Sequence, residues 1–181
     1  MNRDVDLIKL FREGDNPRKA FDAIVRTYGE RLYWHIRKMV ISHDDANDVL
    51  QNCLVKAWNG LPNFREESKL YTWLYRIATN EVITFLKKQR THRFQSLTDI
   101  SRKLSETLHA DPLFNGDDIQ LKLQKAILSL PNRQRQVFNM RYFDELKYEE
   151  ISEILGTSVG ALKASYHHAA EKVEAYMKQQ L

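Results

Sequence analysis

The chain has 181 residues, of which 43% are hydrophobic and 29% charged, a composition that is typical of globular domains and excludes a disordered chain. No apolar run approaches the roughly 20 residues that a membrane-spanning helix needs, and charges interrupt the N-terminal segment in a way that argues against a signal peptide. The single cysteine, Cys53, excludes an internal disulfide and a multi-cysteine metal site. We therefore expect a cytoplasmic protein of one or two domains.

The net charge of +4 is concentrated in the first half of the chain. Residues 1–90 contain 16 Lys and Arg against 12 Asp and Glu, whereas residues 91–116 and 117–181 are each neutral. Within the basic part, Lys69–Arg93 holds six basic residues and one acidic residue, Glu81. Such a run can bind a polyanion, and it can equally be the solvated face of a helix.

Three helices are predicted in the first half of the chain, because apolar residues recur there at steps of three and four. Asn16 is a suitable cap for the first helix and Pro17 suits its first position. The Gly, Pro and Asn of residues 60–63 predict a loop before the third helix. We expect the helices to cover about residues 17–39, 44–59 and 70–90.

Regularity is lost over residues 91–116, which predicts a flexible linker. A second helical unit follows, with one stripe that ends at Pro131, a helix around Phe138, and two more helices separated at Gly156. No strand is predicted. The fold class is therefore all-α, with two small helical domains at residues 1–90 and 117–181 joined by the linker.

The segment Lys147–Lys163 has the layout of a helix-turn-helix. Gly156 can take the left-handed conformation that ends the first helix, and Ser158 is a suitable cap for the second. The outer face of the second helix would then reach base edges and phosphates in a major groove. That face carries Ser158, Gly160, Lys163, Ala164, His167 and His168. The alternative is a plain helical hairpin that binds no DNA.

The helix over residues 44–59 is predicted to have a polar outer face. With Ala46, Val49 and Ala57 turned inward, helical geometry turns a different set toward solvent. A rigid polar face of this kind can dock a partner protein, although it can also be ordinary solvated surface. The set is Asp45, Asp48, Gln51, Asn52 and Lys56.

Residues 63–90 combine aromatic and basic side chains. Aromatic rings such as those of Phe64 and Tyr71 can stack on unpaired bases, at about 1–3 kcal/mol per base. Basic side chains can follow the phosphate backbone, and the loop 63–69 can close around an extruded base. Trp73 lies on the apolar stripe and is expected in the core. The candidate residues are Asn63, Phe64, Arg65, Ser68, Lys69, Tyr71, Arg76, Asn80, Lys87, Lys88 and Arg90.

Three segments resemble the sigma-70 family of bacterial RNA polymerase subunits, and its small extracytoplasmic-function (ECF, group 4) members in particular. Residues 44–58 resemble region 2.2, residues 63–90 resemble regions 2.3 and 2.4, and about residues 117–178 resemble region 4. The order of the regions is that of the family, and the chain leaves no room between them for the extra domain of larger sigma factors.

This resemblance implies a promoter-reading subunit and not an enzyme. Region 2 would dock on the β′ clamp of core RNA polymerase, open the −10 promoter element and hold a flipped base in the loop 63–69. Region 4 would read the −35 element and touch the β flap. An anti-sigma factor is a further expected partner. Lys147 replaces the usual hydroxyl cap, and His167 and His168 stand where aromatic or arginine residues are commoner, so the promoter sequence does not follow from the resemblance.

Two other functions account for less of the sequence. A helix-turn-helix repressor or activator that binds an operator as a dimer would explain residues 117–181 but not the motifs at 44–90. A nuclease or deaminase needs clustered carboxylates or a His/Cys zinc set, and the chain has one cysteine and no H-x-E with C-x-x-C. We therefore predict no catalytic residue, no metal and no cofactor.

Overall fold

A computed structural model describes residues 3–92 and 118–179. Within these ranges the chain is helical and contains no strand, which confirms the predicted fold class. The elements are α1 (Arg3–Glu13), α2 (Pro17–Val40), α3 (His43–Gly60), a 3-10 turn (Leu61–Asn63), α4 (Leu70–His92), α5 (Asp118–Ser129), α6 (Asn132–Tyr142), α7 (Tyr148–Leu155) and α8 (Val159–Gln179). No helix in the described ranges is long and apolar enough to cross a membrane.

The helices form two compact units, an N-terminal unit built on α1–α4 and a C-terminal unit that contains α5–α8. The predicted linker, residues 91–116, overlaps α4 at its first two positions, since α4 continues to His92. The rest of that linker lies outside the described residues.

The first helix, α1, was not predicted. It buries Ile8 and Phe11, which are 2% and 6% exposed. The ring of Phe11 packs edge-on against Trp58 at 4.9 Å, and Phe21 approaches the same indole at 5.2 Å. Aromatic pairs at such distances add about 0.5–1.5 kcal/mol to the burial of their area, so α1 is tied to both α2 and α3.

The predicted start of α2 is confirmed. The side-chain oxygen of Asn16 accepts a hydrogen bond from the backbone N–H of Lys19 at 3.1 Å, and Pro17 is the first helical residue. The helix ends before Ile41, whose φ of 68° lies in the left-handed region. This left-handed backbone turns the chain sharply before α3 begins. A β-branched residue rarely adopts such a conformation.

The core of the N-terminal unit is largely apolar and includes a buried polar pair between α2 and α4. Ile24, Leu32, Leu74 and similar side chains are almost fully buried, each contributing about 1.5–3 kcal/mol. In their midst the Nε2 atom of His35 lies 3.0 Å from the hydroxyl oxygen of Thr79. A buried hydrogen bond of this kind favours one rotation of α4 against α2, because a different rotation would break it.

The C-terminal unit has its own core. Ala126, Ile127, Leu130, Phe138, Ala169 and Val173 form one buried cluster from α5, α6 and α8. Ile151 and Ile154 bury the inner face of α7, and α7 packs on α8. The ring of Phe138 stacks on Tyr166 at 5.7 Å. These contacts hold α8 against both α6 and α7.

The turn of the helix-turn-helix follows the sequence prediction. Gly156 has φ 61° and ψ 37°, and Ser158 accepts a hydrogen bond from the N–H of Ala161 at 3.4 Å. Lys147 does not cap α7 with its side chain, because an ammonium group has no acceptor. Its backbone N–H instead donates to the carboxylate of Glu150 at 3.0 Å. This is the one of the two capping-box hydrogen bonds in which the side chain at the third helical position accepts from the capping residue.

Cys53 lies on α3 in the core of the N-terminal unit, with no exposed surface. Burial, assisted by the carboxylate of Glu81 and opposed by Lys56, raises the pKa of its thiol from 9.0 to about 12. The folded state therefore binds the proton more tightly than the unfolded state. This contribution to the free energy of unfolding is fully present below pH 9.0 and is lost as the pH rises toward about 12.

We predict that Cys53 reacts with a thiol reagent near neutral pH at least about a hundredfold more slowly in the native protein than in denaturant, because reaction requires local opening. The matched control is Val55→Cys in a Cys53→Ala background, since Val55 is 60% exposed on the same helix. The control should react as fast as an unfolded thiol. Equal rates for Cys53 in native and denatured protein would contradict the burial described here.

Candidate nucleic-acid interface

The outer face of α3 is polar with one exposed apolar residue near its C-terminal end. Asp48, Gln51 and Asn52 are exposed as predicted, while Asp45 is half-buried. Val55 lies on the same face and is 60% exposed. An exposed valine framed by carboxylate and amide groups can be desolvated by a partner protein while its neighbours form hydrogen bonds, as in the centre and rim of an interface.

Lys56, the fifth residue predicted on this face, has a structural partner. Its ammonium group pairs with the carboxylate of Glu81 on α4, and the two side chains are 59% and 12% exposed. Glu81 is the single acidic residue in the stretch Lys69–Arg93. The pair connects α3 to α4, and it offsets one positive charge next to the basic face of α4.

That basic face runs along one side of α4. Arg76, Asn80, Lys87 and Lys88 are all exposed, and their spacing of about one turn or its multiples aligns them. At 1.5 Å per residue the stripe is about 18 Å long, which matches about five base pairs of duplex at 3.4 Å each. The side chain of Arg90, the remaining predicted residue, lies outside the described part of the chain.

The loop before α4 exposes Asn63, Arg65 and Lys69, and half-buries Ser68. Phe64 is different, because it is only 6% exposed and its ring packs on Trp73 at 5.0 Å. The expectation that Phe64 offers an open stacking surface is therefore corrected. Its ring anchors the loop, and Trp73, expected in the core, is half-buried above it.

Tyr71 is held by other aromatic side chains. Its ring lies 4.5 Å from that of Tyr75 and 6.3 Å from that of Tyr28. The guanidinium carbon of Arg31, on α2, is 5.0 Å from the centre of the Tyr71 ring. Arg31 was missed by sequence reasoning because it is 40 residues away along the chain and its own helix gives no sign of this contact.

On the C-terminal unit, the structure brings the predicted recognition residues together. Ser158, Gly160, Lys163, Ala164, His167 and His168 are all exposed on the first half of α8 and its cap. Lys163 also lies 5.8 Å above the ring of Tyr148 on α7. Because the face of an aromatic ring attracts a cation, this contact favours one orientation of the Lys163 side chain, along the outer side of the helix-turn-helix.

Glu171 adds a carboxylate at the end of this face. Its two oxygens lie 3.3 Å from Nε2 of His167 and 3.4 Å from Nδ1 of His168. The spacing of three and four residues on one helix could have revealed this contact from the sequence. The carboxylate would repel DNA phosphates, so it limits how far along α8 the DNA can lie.

Two cations from α6 flank the helix-turn-helix, and sequence reasoning missed both. Arg133 donates to the hydroxyl oxygen of Thr157, in the turn, at 2.6 Å. Arg141 lies 5.3 Å from the centre of the Tyr148 ring and donates to the carbonyl of Leu146 at 3.1 Å. Arg135, by contrast, is buried, and burial lowers its pKa to about 10. It remains a cation at neutral pH but is not exposed to a polyanion.

Comparison with known proteins decides the family. The profile of "Sigma-70 region 2" matches residues 24–92, and that of "Sigma-70, region 4" matches residues 120–173. The sigma-E factor of Escherichia coli is 30% identical over 93% of this chain and 91% of its own length. SigW of Bacillus subtilis is 29% identical over 94% of this chain and 95% of its own.

The chain belongs to the sigma-70 family. It is an ECF RNA polymerase sigma factor, as the names and full-length coverage of these relatives indicate. An operator-binding repressor or activator is not supported. Solved structures agree on the fold: CnrH in complex with the cytosolic domain of CnrY has a TM-score of 0.72 at 22% identity and covers 99% of this chain and 100% of its own. RpoE of Bartonella quintana, in complex with the anti-sigma factor NepR, has a TM-score of 0.69 at 22% identity and covers 88% and 98%.

In this sigma factor the region 2 match begins within α2, so α1 lies outside it. The match does include the polar face of α3, the loop 63–69 and the basic stripe of α4. The region 4 match includes the whole helix-turn-helix and every recognition residue predicted on α8. The candidate surfaces of α3, α4 and α8 therefore lie within the matched regions.

We predict that Asp48→Ala together with Gln51→Ala weakens binding to core RNA polymerase by about tenfold or more, because both polar groups are exposed and available to a partner. Helical content should not change, since neither side chain is buried. Asp22→Ala removes the same charge from an exposed position on α2 and serves as the control. Titration of fluorescently labelled protein with core polymerase measures the effect. Equal affinities for the double variant and the control would mean that the interface lies elsewhere.

Proposed function

We propose that the two units of this sigma factor divide promoter recognition between them. The N-terminal unit, predicted at residues 1–90, docks on the β′ clamp of core polymerase through the outer face of α3. It then captures the non-template strand of the −10 element along the loop 63–69 and α4. The C-terminal unit, predicted at residues 117–181, places α8 in the major groove of the −35 element and contacts the β flap. The chain catalyses no reaction itself and acts with polymerase in the cytoplasm.

The observation that carries this proposal is the presence of two differently built exposed surfaces in one chain. The α4 surface is a row of cations beside a loop with exposed polar groups, which suits an opened strand. On the α8 surface, Gly160 and Ala164 are small residues and Lys163 is a cation, a combination that suits close approach to base edges. A protein that only bound an operator would need the second surface alone.

Charge supports a dependence on core polymerase. Residues 117–181 have nine basic and nine acidic residues, so the C-terminal unit has little non-specific attraction to phosphates. Docking on polymerase would bring both surfaces to the promoter together, and the second contact would then form at a high effective concentration. The isolated sigma factor should therefore bind duplex promoter DNA poorly.

An anti-sigma factor is proposed as a further partner. Two structures of similar fold are complexes, one with NepR, an anti-sigma factor, and one with the cytosolic domain of CnrY. For this chain, a protein that covered the exposed faces of α3 or α8 would block polymerase or DNA directly. No cofactor is part of the proposal.

The recognition role of α8 is tested by transcription with core polymerase on two templates. One is a promoter that the wild-type holoenzyme selects from genomic fragments, and the other is the same promoter with a pre-melted −10 element. Lys163→Ala, and His167→Ala with His168→Ala, should each lower initiation on the first template by about tenfold, the size of one good base contact. Both should spare the pre-melted template. Glu171→Gln should act in the opposite direction, because it removes a carboxylate near the phosphates.

The matched control is Lys178→Ala, which removes the same charge from the far end of α8, where Lys178 pairs with Glu174. It should leave initiation unchanged on both templates. Equal losses on both templates for the Lys163 variant would assign that residue to folding or polymerase contact. Sequence-specific duplex binding by the wild-type protein without core polymerase would contradict the division of labour.

A further inference from the structure

The loop 63–69 is held from outside by a residue of α1. Arg12 donates one hydrogen bond from Nη2 to the carbonyl oxygen of Phe64 and another from Nη1 to Oε1 of Glu66, the latter at 2.8 Å. The side chains of Arg12 and Glu66 are 29% and 38% exposed. A single guanidinium thus fixes both the backbone and a side chain of this loop, in the forked geometry that arginine alone provides.

The conformation of the loop needs such support. Glu66 has a φ of 59°, which is unfavourable for a residue with a Cβ atom and persists only where neighbours hold it. The backbone N–H of Phe64 donates to the carbonyl of Leu61 at 3.2 Å, and that of Trp73 donates to the carbonyl of Lys69 at 3.1 Å. These bonds fix the two ends of the loop, and Arg12 holds its middle.

Arg12 is itself in a fixed position. Ile8 and Phe11, one turn and one residue before it, are buried, and Phe11 packs on Trp58 of α3. The helix also contacts the 3-10 turn that leads into the loop. The guanidinium is therefore connected to the core of the unit through α1, and it places the loop relative to α3 and α4.

The contact also sets the charge of the loop. Glu66 and Glu67 oppose Arg65 and Lys69 within five positions, and a free carboxylate there would repel a DNA strand. Arg65 and Glu67 are 83% and 78% exposed and 4.0 Å apart, a distance and exposure at which pairing is weak. Arg12 pairs with Glu66 more closely, so it offsets the carboxylate that lies in the middle of the loop.

We propose that Arg12 is a positioning residue for promoter reading: it holds the loop 63–69 in the shape that receives an unpaired base of the downstream element. This inference depends on the proposed function of that loop. In this proposal Arg12 does not contact a base itself. It acts through the Phe64 carbonyl and the Glu66 carboxylate. Its removal should therefore change which base is accepted more than how tightly DNA is held.

The test uses the full chain bound to core polymerase and sets of four fork-junction oligonucleotides. Within each set, one unpaired position of the downstream element carries A, C, G or T. Wild-type holoenzyme should prefer one base at the position that the loop reads. Arg12→Ala should lower that preference by about tenfold, the effect of losing a charge-assisted contact, and leave preferences at other positions unchanged. Arg12→Lys keeps the charge without the fork, so it should leave overall affinity unchanged and still lose the preference.

Lys9→Ala is the matched control, because Lys9 is 73% exposed on the same helix and pairs only loosely with Glu13, at 4.0 Å. It should keep the preference. Thermal unfolding of each variant separates loss of fold from loss of reading, and Arg12→Lys decides the question if Arg12→Ala does not fold. An unchanged preference in both Arg12 variants, or an equal loss of affinity for all four bases, would overturn the inference.

Failure of the proposed function has a different signature. If wild-type holoenzyme prefers no base at any unpaired position, or if the preference survives Asn63→Ala combined with Ser68→Ala, the loop is not the reading element. Both proposals would then fall. If the preference is lost in Asn63→Ala with Ser68→Ala and kept in both Arg12 variants, the function of the loop stands and only the role of Arg12 is wrong.

Discussion

Helix α4 has to serve two surfaces at once, and the rest of the N-terminal unit depends on how its rotation is fixed. Leu74, Ala78 and Val82 turn into the core, and the helical period then leaves Arg76 and Asn80 outside. The buried contact between His35 and Thr79 and the ion pair between Lys56 and Glu81 hold that rotation from two sides. A shift of one residue in register would bury cations and expose the core, so the same interactions specify both the packing of the core and the exposure of the side chains proposed to bind DNA.

Much of this architecture could be predicted from the sequence, because helices are indicated by the spacing of their apolar residues and by the capping and helix-breaking residues at their ends. The start of α2 at Pro17, the left-handed Gly156 and the cap at Ser158 follow from local chemistry and were correct. The outward faces of α3 and α8 followed from the period alone. Helix α1 was missed because charges interrupt its apolar residues, and its contacts with α2 and with Trp58 of α3 show why it forms.

The sequence could not show which side chains meet across elements. Periodicity predicts the face on which a residue lies but not its neighbour, so Arg12, Arg31 and Arg133 could not be connected to the loop, to Tyr71 or to the helix-turn-helix turn. Phe64 illustrates the opposite error. An aromatic residue in a loop suggests an open stacking surface, but its apolar ring is more stable against Trp73 than in water. Acidic residues such as Glu81 and Glu171 moderate the basic faces, an effect that composition does not reveal.

The central claim is that the two units read separate promoter elements within one polymerase complex. The most direct test places a photo-crosslinking base at one promoter position at a time in the holoenzyme–promoter complex and maps the attached peptide. Non-template bases of the downstream (−10) element should attach to residues 63–90, and bases of the upstream (−35) element should attach to residues 158–168. Attachment of both elements to the C-terminal unit alone would contradict the account.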